Sequence, residues 1–186
     1  VIEGLTLGFS PSWNIHPIYS KNIVIANCLI KSKDIHNGDG IDPDSCNNVN
    51  IFDIKFETGD DCVAIKSGKN PEGNKINRSS KNIRVFDCKS NMGHGCCIGS
   101  EMSGGVKNVE FFNCDFEKTR YGVQIKTTKK RGGYVKNVVV DYLALPAINI
   151  RCVPYNDDGI SSGKYAKFKN FIFLKFHFFR KAFCAV

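Results

Sequence analysis

Lys21-Asn22-Ile23-Val24-Ile25-Ala26-Asn27-Cys28-Leu29-Ile30 decides the fold, because its pattern returns along the chain. Counting Asn22 as position 0, the apolar positions +1, +3, +6 and +8 are Ile23, Ile25, Cys28 and Ile30. After Asn48 the same positions read Val49, Ile51, Ile54, Phe56, and after Asn82 Ile83, Val85, Cys88, Ser90. They continue as Val109, Phe111, Cys114, Phe116 after Asn108 and Val138, Val140, Leu143, Leu145 after Asn137. After Asn170 they are Phe171, Phe173, Phe176, Phe178. The Asn residues are 26, 34, 26, 29 and 33 residues apart, and Lys21, Lys81, Lys107, Lys136 and Lys169 precede five of them. Alternation within +1/+3, and again within +6/+8, is the two-residue period of a strand. The change of parity between the pairs calls for a bend near +5. Asn27, Asp53, Asp87 and Asn113 stand there, and such residues tolerate turn conformations.

Between these segments lie shorter apolar strands: Cys62-Val63-Ala64-Ile65-Lys66, Cys96-Cys97-Ile98-Gly99, Gly122-Val123-Gln124-Ile125-Lys126 and Ala147-Ile148-Asn149-Ile150. Helical period is absent. Several bent strands per repeat, without helices, predict an all-β fold, a right-handed parallel β-helix of the single-stranded solenoid type. One domain covers residues 1–186, with clear coils over 20–180. Sandwiches need hairpin turns at shorter spacing and propellers a four-strand period; neither matches the Lys-Asn register. Cys28, Cys88 and Cys114 all occupy +6, which predicts an interior column of small core residues rather than disulfides. The chain opens Val1-Ile2-Glu3 without Met and closes on an apolar run, so it reads as a segment truncated at both ends.

The formal charge of +8 suits a polyanionic partner. Nucleic acid is not expected, since no stretch carries the motif or aromatic interleaving of such a module. No apolar run is long enough for a membrane helix, and membrane association is not expected. Nine cysteines include no pair with zinc spacing, so no metal is expected.

The candidate chemistry lies in four motifs. Asn37-Gly38-Asp39, Gly59-Asp60-Asp61, Gly93-His94-Gly95 and Gln124-Ile125-Lys126 are separated by single-coil steps: Asp39 to Asp60 is 21 residues, Asp60 to His94 is 34, and His94 to Lys126 is 32. Stacking therefore brings three aspartates, a histidine and a lysine to one face. Clustered carboxylates cannot all ionise readily at neutral pH; one is expected to hold a proton while others stay charged. That is the equipment of glycoside hydrolysis. The glycines beside His94 allow a tight turn that exposes its ring. Asp42 and Asp44 read as turn residues, and Arg120, Lys129, Lys130 and Arg131 as a solvated loop.

These motifs resemble glycoside hydrolase family 28, the polygalacturonases and related pectin hydrolases, whose pattern is Asn-Thr-Asp, Gly-Asp-Asp, Gly-His-Gly and Arg-Ile-Lys. Ser10-Pro11-Ser12-Trp13-Asn14, Gly40-Ile41-Asp42-Pro43-Asp44-Ser45-Cys46 and Ile98-Gly99-Ser100-Glu101 add to the likeness. The resemblance implies a secreted or periplasmic monomer that inverts at α-1,4-linked galacturonan, acting on pectic polysaccharide or oligogalacturonide without a cofactor. It implies catalytic Asp39, Asp60, Asp61 and His94, with Asp60 as general acid and Asp39 and Asp61 activating water. Lys126, Gln124 and Asn37 are implied to bind substrate. Gln124 stands where the family has Arg, which a carboxylate would engage through two charged hydrogen bonds. That departure leaves open a rhamnogalacturonan or xylogalacturonan hydrolase, or a non-catalytic carbohydrate-binding β-helix.

Overall fold

The computed structural model describes residues 1–155 and 159–178. Cys184 and the apolar end of the chain lie outside these residues. The elements are β1 (Ile2–Glu3), β2 (Thr6–Gly8), β3 (Lys21–Ser32), β4 (Asn47–Thr58), β5 (Val63–Ile65), α1 (Glu72–Ile76), β6 (Ser80–Phe86), β7 (Lys89–Ser90), β8 (Cys96–Ile98), β9 (Val106–Asp115), β10 (Gly122–Thr127), β11 (Tyr134–Leu145), β12 (Ala147–Cys152), β13 (Lys167–Phe173) and β14 (Phe176–Phe178).

Each repeated Asn is a corner. Asn22, Asn48, Asn82, Asn108, Asn137 and Asn170 all take left-handed φ values between 55° and 60°. Asn enters this region more readily than other residues with a side chain, because its short amide bonds locally. The corners also stack. Asn48 Nδ2 donates to Asn22 Oδ1 at 2.9 Å, Asn108 to Asn82 at 2.8 Å, Asn137 to Asn108 at 2.9 Å and Asn170 to Asn137 at 3.0 Å. Asn82 reaches instead to Asn47 Oδ1 at 2.9 Å. The +5 residues form a second set of corners, with φ of 49° at Asn27, 54° at Asp53, 53° at Asp87 and 51° at Asn113. One left-handed residue inside the run moves the inward side chains from odd to even positions.

The long strands stack in parallel as β1-β3-β4-β6-β9-β11-β13, with β2, β7 and β14 pairing alongside. A second parallel sheet runs β12-β10-β8-β5, and the bridges Ile15↔Ile41 and Ile41↔Val63 continue it toward the N-terminal coils. This is a parallel β-solenoid. The register holds each motif position over its equivalent: Ile25↔Ile51, Ile51↔Val85, Val85↔Phe111 and Phe111↔Val140. These side chains are all fully buried, each contributing roughly 1.5–3 kcal/mol by its removal from water.

Cys28, Cys88 and Cys114 are buried free thiols in the +6 column, Cys28 in register with Ile54 and Cys114 with Leu143 on neighbouring coils. Burial pushes the Cys88 thiol far up and leaves it unreactive. The helix α1 departs from the all-strand expectation. Its five residues sit in the loop between β5 and β6, too short to leave a helical period in the sequence.

Candidate active site

The candidate motifs sit just before, or at the end of, the strands of the second sheet. Each coil delivers one. Gly93 and Gly95 both have positive φ, 75° and 78°. A Cβ at Gly93 would lie 2.5 Å from the Asp60 carbonyl oxygen, so His94 is presented on a turn that only glycine fits. The His94 backbone N–H donates to that same carbonyl at 3.0 Å.

Asp60 and Asp61 diverge at the turn. The Asp61 backbone N–H donates to Asp60 Oδ1 at 2.9 Å, which curls the Asp60 carboxylate back and leaves it partly exposed. Asp61 is wholly buried. Its Oδ1 accepts from Gln124 Nε2 at 2.7 Å and its Oδ2 from Lys126 Nζ at 2.7 Å. Burial pushes this carboxyl up, but the interactions with His94 and Lys126 outweigh it and hold it down at about 2. His94 Nδ1 lies 2.9 Å from Asp60 Oδ1 and 3.4 Å from Asp61 Oδ1. Its angles make the contact an ion pair rather than an aligned hydrogen bond. The two carboxylates, Asp60 foremost, raise His94 to about 9, so the imidazole is charged at neutral pH.

Asp39 is buried at the other side of the cleft. Burial, with the Asp42 and Asp61 charges behind it, pushes its carboxyl up to about 10. Asp39 therefore holds a proton while Asp61 stays ionised, the division expected of crowded carboxylates.

Beneath the cleft runs a charged network that sequence reasoning missed. Lys66 Nζ lies 3.1 Å from Glu101, 3.4 Å from Asp42 and 3.8 Å from Asp39, and 4.2 Å from the centre of the Trp13 ring. Burial alone would lower Lys66; the three acids overcome it and keep the ammonium charged. Arg131 Nη1 pairs with Glu101 at 3.4 Å. Two expectations are corrected here. Asp42 is fully buried beside Lys66 rather than a turn residue, and its carboxyl rises to about 7 through burial, against the pull of Lys66. Arg131 is likewise wholly buried, not part of a solvated loop; its charge is satisfied by Glu101. A signal was present: Ile65-Lys66 and Ile125-Lys126 close equivalent strands with the same dipeptide.

Asn37, Asp39, Asp60, Asp61, His94 and Lys126 line one cleft, joined by Trp13, Lys66, Lys69, Ser100, Glu101, Arg151 and Tyr155. Gln124 is not among them. It is fully buried, its amide donating to Asp61 rather than facing the cleft. Asp60, Asp61 and His94 place one ligand atom each within 4.8 Å of one another.

These shifts fix a stability profile. Asp61, depressed from 3.8 to about 2, adds stability that is present above pH 3.8 and lost as pH falls toward 2. His94, raised from 6.5 to about 9, adds stability present below pH 6.5 and lost toward 9. Asp39 and Asp42, raised from 3.8 to about 10 and about 7, bind more protons folded than unfolded, so they cost stability as pH rises above 3.8. Thermal denaturation across pH 2–9 is expected to give a Tm maximum near pH 4 and a long decline toward alkaline pH. Asp39→Asn should flatten that decline. A maximum at pH 8 would contradict these assignments.

Fold and site together define a parallel β-solenoid that gathers acids, a charged histidine and lysines in one cleft. The family model of glycosyl hydrolases family 28 matches residues 1–158, and the chain belongs to that family. It is 44% identical over 142 residues to a probable polygalacturonase of Vitis vinifera, covering 75% of this chain and 29% of the relative. An endo-polygalacturonase of Pectobacterium carotovorum subsp. carotovorum is 37% identical over 117 residues, covering 60% of this chain and 27% of the relative. The crystal structure of a hyperthermoactive exopolygalacturonase from Thermotoga maritima superposes with a TM-score of 0.75 at 38% identity, covering 89% of this chain and 38% of that one. The chain thus spans less than a third of the length of these two curated relatives.

Proposed function

We propose that this chain is the catalytic part of a pectin hydrolase that cleaves α-1,4-linked galacturonan with inversion. The observation that carries the reading is the convergence in one cleft of Asp39, Asp60 and Asp61 from neighbouring coils, with His94 2.9 Å from Asp60 and Lys126 2.7 Å from Asp61. The polygalacturonase relatives support the same substrate class.

In this reading Asp60, the partly exposed acid, receives the proton that charged His94 holds 2.9 Å away and gives it to the glycosidic oxygen of the departing sugar. A water attacks the anomeric carbon from the opposite face and passes its proton to ionised Asp61, while protonated Asp39 orients it. Asp60 leaves the cycle ionised, His94 neutral and Asp61 protonated, and exchange with solvent resets His94 and Asp61. The facing oxygens of Asp60 and Asp61 lie within 4.8 Å, shorter than the about 6.5–9.5 Å of an inverting pair. The water is therefore assigned to the Asp39 side of Asp61, not to the gap between the two neighbours. His94 fixes both carboxylates. Lys126 secures Asp61, and with Asn37 it borders the bound sugar.

The chain is proposed to act as a secreted monomer. Among the described residues no helix is long and apolar enough to cross a membrane. The test is product analysis on polygalacturonate. New reducing ends should appear, and proton NMR of early product should show the β-anomer. An initial α-anomer would refute inversion, and unsaturated products absorbing in the ultraviolet would refute hydrolysis.

A further inference from the structure

The cations of the cleft floor are committed to protein carboxylates. Lys126 bonds Asp61 at 2.7 Å, Lys66 bonds Glu101 at 3.1 Å, and His94 faces Asp60 at 2.9 Å. Arg151 differs. It is exposed, lines the same cleft, and forms no ion pair among the described residues. Strand β12 carries it in register with Lys126 on the preceding coil, one strand spacing of about 4.8 Å further along the solenoid. Its guanidinium is steadied by an aromatic ring rather than an acid: Cζ lies 5.4 Å from the centre of the Tyr121 ring, and Tyr121 in turn packs 5.7 Å from His94.

We propose that Arg151 is the specificity residue of the cleft, binding the free carboxylate of a uronate unit next to the scissile bond. A guanidinium presents two parallel N–H groups that fit a carboxylate and fit a methyl ester poorly. Stacking on Tyr121 holds the group in place while leaving its donors for a ligand. The position where a cleft arginine was expected, Gln124, serves Asp61 instead; the guanidinium comes from the next coil. The substrate class this selects is unesterified galacturonan, and the assignment rests on the galacturonan reading above.

The test compares binding of trigalacturonate and its methyl ester by calorimetry, using the full chain. The unsubstituted protein should bind the free acid about tenfold more tightly than the ester. Arg151→Ala should abolish that preference through weaker binding of the acid alone, and Arg151→Lys should restore part of it. In turnover, the loss should fall on KM more than on kcat. An acid preference that survives in Arg151→Ala overturns the assignment while leaving the galacturonan reading intact. No binding of either ligand by the unsubstituted protein overturns that reading, and this inference with it.

Discussion

Asp60→Asn is expected to cut release of reducing ends from polygalacturonate by about 10³-fold, within the range general acid catalysis contributes. The substitution keeps the shape of the side chain and leaves Asp61 with its bonds to Gln124 and Lys126. It removes the one partly exposed carboxyl that faces the cleft from the Gly59 turn. Folding should be little affected, because the aspartate is not buried and its partner His94 still faces Asp61 at 3.4 Å. Substrate choice separates an acid from a structural residue. A galacturonosyl fluoride departs without protonation, so the variant should cleave it at close to the unsubstituted rate. Equal loss on the fluoride and on polygalacturonate would remove Asp60 from the acid role.

Lys66→Met is expected to be the most destabilising substitution in the cleft, by about 1–3 kcal/mol, the usual cost of leaving buried polar groups without their partner, since Asp39 and Asp42 can take up a proton. Lys66 serves Glu101, Asp42 and Asp39 at once, and its side chain is 5% exposed. Without it, Glu101 keeps Arg131, but Asp42 and Asp39 lose the cation that opposes their raised pKa values. Urea denaturation at pH 7 should show the loss as a lower midpoint at unchanged slope. Repeated near pH 3, where the acids are largely neutral, the loss should shrink. A midpoint unaltered at pH 7 would mean that the network is hydrated rather than sealed.

The coil architecture could be read from the Lys-Asn register because a solenoid repeats its solution: each coil solves the same burial problem with the same spacing. The ordered motifs were legible for the same reason. The floor of the site was harder to see. Lys66 and Arg131 look like solvent-facing charges in a linear text, since nothing local reveals that Glu101, from the coil between them, will meet them both. Asp42 sits in a stretch rich in Pro, Asp and Ser that reads as a turn, and its burial depends on a partner 24 residues away. By its place in a motif Gln124 reads as a ligand-facing residue. Strand alternation does point it outward, but Asp61 covers it. In each case the deciding term is a contact between coils, and periodicity within one coil does not encode it.

The asparagine corners have a further consequence for how such a molecule can vary. Successive coils differ in length, from 26 to 34 residues, yet the strand positions stay aligned across every step. Each left-handed asparagine restarts the count, so an insertion upstream is absorbed before the next strand begins. The loops that wall the cleft can therefore be lengthened or shortened one at a time, while the carboxylates keep their mutual positions. The walls of the groove become interchangeable parts on a fixed frame of coils.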